Sequence, residues 1–269
     1  MALPLQRIEG KYEILAKLRE GGMGALYKVR HRLLEEVRVI KVLRAQYQGD
    51  ADLQERFLRE ARATMRLRHP NLVQIYDFTL DDDGTGFLVM EHIQGVDLQQ
   101  LIVSHRLPSL PLALEIARQG LRALGYLHRC GFIHRDISPD NLMLCRDVDG
   151  APLVKLIDLG IAKERGADHQ LTQSGVFLGK FRYSSPEHFG VGEEVEVEPR
   201  SDLYSWGLVL YELLTGAYPY SKLSPSQLIG NHIFQPPLGF EQTDPTGRVP
   251  EALRSVVLRA LAKPLAERF

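Results

Sequence analysis

His134-Arg135-Asp136-Ile137-Ser138-Pro139-Asp140-Asn141, followed seventeen residues after Asn141 by Asp158-Leu159-Gly160, is the stretch that decides the fold. An aspartate, an asparagine five residues on and a second aspartate across a hairpin are the groups needed to orient a hydroxyl and hold Mg2+ on a nucleoside triphosphate. Pro139 stiffens the run, and Asn141 returns to the side of Asp136. Asp136 is therefore assigned to the hydroxyl proton, and Asn141 with Asp158 to the metal. His134 is read as a core histidine that packs and orients the loop. The hairpin itself is signalled by Asp147-Val148-Asp149-Gly150 between two apolar runs, Leu142 to Cys145 and Leu153 to Asp158.

Upstream of this run the pattern is mostly that of a sheet. From Tyr12 to about Leu43, short β-branched and aliphatic runs surround the glycines between Gly21 and Gly24, which predicts strands joined by a tight turn. Gly21, Gly22 and Gly24, with Met23 at the tip, let backbone amides approach phosphate oxygens, and Leu26 is placed to cover a base. Two more strands are expected at Leu72 to Phe78 and Phe87 to His92. Between them lies one helix, Asp52 to Arg68, with Leu53, Phe57, Ala61 and Met65 at helical spacing before His69-Pro70. Glu60 borders the apolar face of that helix, where a carboxylate is costly unless paired. Lys41, the one lysine in the apolar run Val39 to Val42, is its expected partner, which would aim the amine at phosphates.

Downstream, helices dominate from Leu98. Pro111 to His128 carries Leu112, Ile116, Leu121, Leu124 and Leu127, and Asp202 to Thr215 is apolar nearly all round, as a buried helix is. The change of character near Gly95 predicts two lobes, with a cleft between them as a natural ligand site. Glu193 to Glu198 reads as a solvated loop or short edge.

Bulk properties narrow the classes further. A chain of 269 residues with 44% hydrophobic content can bury a full core, and a net charge of -1 gives no support for nucleic acid as a partner. Cys130 and Cys145 form no disulfide framework and are expected to pack as small apolar groups in a reducing compartment. No histidine pairs at zinc spacing, and no apolar run is long enough to span a membrane.

Taken together these residues resemble the eukaryotic-like protein kinase family from about Tyr12 to Arg268. Gly21-Gly22-Met23-Gly24 and Arg59-Glu60-Ala61-Arg62-Ala63 are similar to its bacterial serine/threonine type. The resemblance implies an α+β, bilobal fold within 12–269. A small β-rich lobe with one main helix would cover about 12–92, a hinge about 91–97, and a larger, mainly helical lobe about 98–269. It implies ATP and Mg2+ as cofactors, transfer of the γ-phosphate to serine and threonine hydroxyls of proteins, the chain itself among them in trans, and a cytoplasmic setting. Leu18 would join the glycine turn over the nucleotide, Val39 and Met143 would wall the base pocket, and Met90 would be the gatekeeper. Glu91 to Ile93 would bond adenine through the backbone, and Asp97 would meet the ribose. Ser185-Pro186-Glu187 would close the activation segment with Glu187 paired to Arg268, and Asp202 would brace the catalytic loop through backbone amides.

Three positions depart from the family pattern. Arg19 stands where the first loop glycine is usual, Leu159 where a phenylalanine follows the metal-binding aspartate, and Ser138 where a lysine usually contacts the transferring phosphate. Lys180 occupies the activation-segment position usually held by a threonine. One reading has Lys180 project back beside Asp136 and supply the missing charge; the other makes it a surface lysine that contacts substrate, and the sequence leaves both open. Arg135 beside the catalytic aspartate suggests pairing with a phosphate on the activation segment, with Thr172 and Ser174 the best acceptors and Ser184 less favoured. The intact set Lys41, Glu60, Asp136, Asn141 and Asp158 favours a working serine/threonine kinase over a pseudokinase scaffold. The long segment from Asp158 to Glu187 disfavours a kinase of small molecules. The family usually continues one helix beyond Arg268, so a catalytic fragment of a longer protein is the expectation.

Overall fold

The computed structural model describes residues 10–21, 24–43, 61–81, 85–158, 181–190, 196–220 and 224–269. The chain divides into two compact units at Gln94/Gly95.

In the first unit β1 (Tyr12–Gly21), β2 (Gly24–His31), β3 (Val37–Leu43), β4 (Ile75–Leu80) and β5 (Gly86–Glu91) form one sheet in the order β1-β2-β3-β5-β4. All its pairings are antiparallel. Because side chains alternate along a strand, Tyr27, Val29, Ile40, Val42, Phe87 and Val89 fall on one face, and with Tyr12 they make its core. β4 begins at Ile75, not at Leu72 as the apolar run suggested. Leu72 N–H closes a turn on the His69 carbonyl and Asn71 N–H on His69 Nδ1, so Leu72 makes only an isolated bridge and the continuous strand starts three residues later. Of the predicted helix, residues 52–60 lie outside the described residues and 61–64 are helical. It ends at Met65, ahead of His69-Pro70, where Arg66 and Leu67 take the tighter bonds to Ala63 and Thr64 that close a helix.

The second unit opens with β6 (Gly95–Asp97), which pairs with β7 (Leu142–Arg146), itself paired with β8 (Pro152–Leu156). The helices are α1 (Leu98–Val103), α2 (Leu110–Arg129), α3 (Pro199–Thr215), α4 (Pro225–Phe234), α5 (Phe240–Thr243) and α6 (Glu251–Ala260). Ser109 caps α2, with Pro111 in its first turn. α3 is the hub: Tyr204, Leu208, Val209, Tyr211 and Leu213 are completely buried. It starts on a reciprocal cap between Glu198 and Ser201 and stops at Gly216, whose φ of 75° only glycine adopts readily. Gly120 lets α2 approach α3 closely, since a Cβ there would lie 2.2 Å from the Trp206 ring.

The cysteine expectation holds for one thiol only. Cys145 is half-buried on β7 with its Sγ donating to the Leu153 carbonyl, whereas Cys130 is exposed, because it is the residue on which α2 ends and the chain turns outward.

Candidate active site

The run from His134 to Asn141 is held by a single buried carboxylate. Asp202, on the first turn of α3 and 1% exposed, accepts from His134 N–H and Arg135 N–H at 2.9 Å each. It also meets His128 Nε2 from α2 at 2.8 Å. His134, buried as expected, ties the run to the second aspartate. Its Nδ1 accepts from Asp136 N–H at 3.3 Å, so the ring proton sits on Nε2, which donates to the Ile157 carbonyl at 3.1 Å. One neutral tautomer thereby positions the backbones next to both Asp136 and Asp158.

Asn141 ends the tight turn Pro139–Asn141 and completes the cluster. Its Nδ2 donates to the Asp136 carbonyl at 2.8 Å and approaches Asp136 Oδ2 at 3.3 Å. Its own carbonyl accepts from Ile157 N–H at 2.9 Å. The amide is thus oriented with its Nδ2 toward the Asp136 acceptors and its Oδ1 turned away from them, and Oδ1 accepts no hydrogen bond from a described residue. A hard oxygen left in this way, with an aspartate two residues past β8, is a donor set that fits Mg2+. Arg135 and Asp158 both adopt left-handed backbone, with φ of 62° and 61°. For side-chain-bearing residues this costs energy and is tolerated where the surroundings fix it, here Asp202 and His134. Ser138 does not turn toward Asp136: its hydroxyl donates to Asp140 Oδ1 at 2.6 Å.

Sequence reasoning missed the brace on β8, an edge strand of its sheet. Gln119 of α2 pairs with that edge as another strand would, its Nε2 donating to the Pro152 carbonyl at 2.8 Å and its Oε1 accepting from Val154 N–H at 2.7 Å. Asp97 and Met143 stand directly opposite each other across β6 and β7. Asp97 Oδ1 also caps α1, accepting from Gln100 N–H at 2.7 Å.

In the first unit, register gathers the other expected residues on one face. Lys41 pairs with Leu26 on β2 and Leu88 on β5, and Val39 pairs with Met90, so all five point away from the core face of the sheet. Gly21 pairs with Gly24 across the turn, and the β1 register shifts between Lys17 and Arg19, at Leu18. Glu91 is anchored to Gln74 by reciprocal bonds: its N–H donates to the Gln74 carbonyl at 2.9 Å and its Oε1 accepts from Gln74 N–H at 2.7 Å. Ile93 follows in the half-buried stretch after β5. Gly22, Met23, Glu60 and Lys180 lie outside the described residues, so neither the Lys41–Glu60 pair nor the position of Lys180 is described.

Past the second aspartate, the described residues resume at Phe181. Glu187 meets Arg268 through two oxygens, at 2.7 and 3.1 Å, and accepts from Ser201 at 3.0 Å. Arg182 Nη2 reaches Glu212 of α3 at 2.5 Å, and the Tyr183 hydroxyl donates to the other oxygen of the same carboxylate.

This geometry agrees with what known proteins show. The family described as protein kinase domain matches residues 12–268. The serine/threonine-protein kinase Pkn3 of Myxococcus xanthus is 36% identical over 261 residues, covering 96% of this chain and 47% of that protein. The crystal structure of the Mycobacterium tuberculosis PknI kinase domain superposes with a TM-score of 0.68 at 27% identity, over 96% of this chain and 91% of that one. A Rad53 structure in complex with AMP-PNP superposes with a TM-score of 0.77 at 26% identity, covering 97% of this chain and 63% of that one. The chain spans under half the length of the Pkn3 protein it matches. With its sheet-rich first unit, its helical second unit and its braced His134–Asn141 run, this chain belongs to the protein kinase domain family, in its bacterial serine/threonine type.

Proposed function

We propose that this chain transfers the γ-phosphoryl group of Mg-ATP to serine and threonine hydroxyls of proteins. The observation that carries the reading is the Asn141 amide, which bonds the Asp136 backbone and leaves its oxygen for a metal. Asp136 orients the acceptor hydroxyl and takes its proton. Asn141 Oδ1 and the Asp158 carboxylate would hold Mg2+, which when bound neutralises charge developing on the transferred group. Lys41, paired with Glu60, holds the phosphates, and Gly21, Gly22, Met23 and Gly24 supply amides to them. Leu18, Leu26, Val39, Met90 and Met143 contact the base, Glu91 and Ile93 bond it through the backbone, and Asp97 meets the ribose with the carboxylate oxygen that does not cap α1. Phosphoryl transfer asks little covalent work of a protein, so positioning of this kind supplies most of the catalysis. Both cysteines are free thiols, which suits the reducing, ATP-rich cytoplasm. No helix among the described residues is long and apolar enough to cross a membrane.

Incubation with [γ-32P]ATP, Mg2+ and myelin basic protein tests the reading: label on the acceptor is expected, and nucleotide binding without label would make the chain a scaffold instead. The same incubation tests regulation. The Arg135 Nε is buried with no hydrogen-bond partner among the described residues, as suits a guanidinium awaiting an anion. Phosphopeptide mapping is expected to find trans autophosphorylation at Thr172 or Ser174, and no phosphate between Ala162 and Lys180 would remove that part.

Ser138, turned to Asp140, leaves the transferring phosphate without the lysine that usually meets it. Lys180 is proposed to supply that charge. Losing one preorganised donor costs about 10²- to 10³-fold in turnover, so Lys180→Ala is expected to lower kcat by that order with ATP affinity little changed. A fall of less than about threefold would refute the exchange.

A further inference from the structure

Arg182 is held at both ends. Its guanidinium bonds Glu212 and stacks 4.0 Å over the Tyr218 ring, and its carbonyl accepts from the Tyr218 hydroxyl. That last bond begins a buried chain of polar groups whose direction can be worked out link by link. A carbonyl only accepts, so Tyr218 gives its hydrogen to Arg182, and its oxygen must accept from His232 Nε2 at 3.0 Å. The ring proton is then on Nε2, and Nδ1 accepts from the Tyr204 hydroxyl at 3.1 Å. Tyr204, its hydrogen spent, accepts from Tyr220 at 2.9 Å and from Lys263 Nζ at 3.2 Å. Lys263 donates its two other hydrogens to Tyr220 at 2.7 Å and to the Asn231 carbonyl at 3.1 Å.

Apart from the bond to Asn231, each bond thus points from Lys263 toward the Arg182 carbonyl. Tyr204 and His232 are completely buried, so water cannot replace the bonds that join Tyr204 to His232 and to Tyr220, whereas the links at Tyr218 and Lys263 are partly buried. Burial, followed by the charge of Lys263, pushes His232 down to about 3, and the ring stays neutral with its proton on Nε2 at any working pH. Phe189 packs against the same imidazole, with ring centroids 5.8 Å apart, and against Phe181 at 5.7 Å. The members of the chain stand on α3, on α4, at 182, at 218–220 and at 263; none of these segments carries Asp136, Asn141 or Asp158.

We propose that Tyr218 and His232 are positioning residues for the acceptor polypeptide: they fix the backbone at Arg182, and with it residues 181–189 as the stretch on which the acceptor docks. The inference rests on the reading that this chain phosphorylates polypeptides. A brace of this kind acts on one substrate and not the other, whereas a general loss of structure would affect both.

Tyr218→Phe removes one hydroxyl and keeps the ring under Arg182. It is expected to raise KM for myelin basic protein about tenfold, the cost of leaving the Arg182 carbonyl and the His232 Nε2–H without their partner, with KM for ATP and kcat within about twofold of wild type. His232→Leu is expected to match it, and His232→Gln, which keeps a donor and an acceptor, to recover most of the loss. Tyr220→Phe, two links beyond His232 in the chain, is expected to raise the same KM about threefold and decides the matter if Tyr218→Phe does not fold. A protein-substrate KM unmoved in these variants, or an ATP KM rising in parallel, overturns the inference while leaving the kinase reading intact. A wild-type chain that labels no polypeptide removes both.

Discussion

Asp136→Asn is expected to lower kcat by about 10³-fold, within the range that loss of a positioned general base costs. KM for ATP is expected to stay within about twofold. The substitution keeps the size of the side chain, and the bonds that shape the loop are made by the backbone: Asp136 N–H to His134 Nδ1 and the Asp136 carbonyl from Asn141 Nδ2. Asp202 continues to hold the two residues before it. What is lost is the negative charge and the capacity to take a proton from an attacking hydroxyl. Steady-state kinetics with the melting temperature of each protein checks the expectation. A variant that keeps more than about a tenth of wild-type kcat would place the base elsewhere.

The part of this site that could be read from sequence is the part whose geometry is local. Asp136 and Asn141 meet because a proline-stiffened turn of known length joins them, and Asp158 follows from a hairpin with an explicit turn signal. Residues whose partners are distant in the chain carry no such mark. Gln119 reaches Val154, and His232 joins Tyr204 to Tyr218 across three segments. Gln119 did leave one trace. It sits between Ile116 and Ala123 on the buried face of α2, where an amide must find partners, the same argument that singled out Glu60. Applied along every helix, that argument also points to His128, half-buried and bonded to Asp202. The late start of β4 and the exposure of Cys130 were illegible for a different reason. Each depends on how a turn or a helix end directs the chain, which apolar content does not encode.

The largest effect on stability is expected from Arg268→Ala, about 3–5 kcal/mol, the cost of removing one partner from a buried ion pair. The two side chains are 0% and 3% exposed. Arg268 also spends all its donors: beyond the two bonds to Glu187, Nε bonds the Ala262 carbonyl at 2.7 Å, Nη2 that of Lys263 at 2.9 Å and Nη1 that of Arg200 at 3.3 Å. Removal therefore orphans the Ala262 and Lys263 carbonyls along with the carboxylate, so an apolar side chain at 268 with an uncharged one at 187 would still be destabilising. The pH dependence identifies the carboxylate's share. Burial pushes the Glu187 carboxyl up, but hydrogen bonds from Arg268, Ser185 and Ser201, with the arginine's charge, outweigh it, and the net shift is below the ordinary value of 4.5. In the wild type that stabilisation is present above the unfolded value and is lost as pH falls through the lower folded one. Without the arginine, its hydrogen bonds and charge no longer oppose burial, so the downward shift of the carboxyl is reduced and less stability is lost as pH falls. The gap between their melting temperatures should narrow from about pH 7 to about pH 4, the range that brackets glutamate titration. A gap that stayed constant or widened would mean that the stability of the pair does not come from the ionised Glu187.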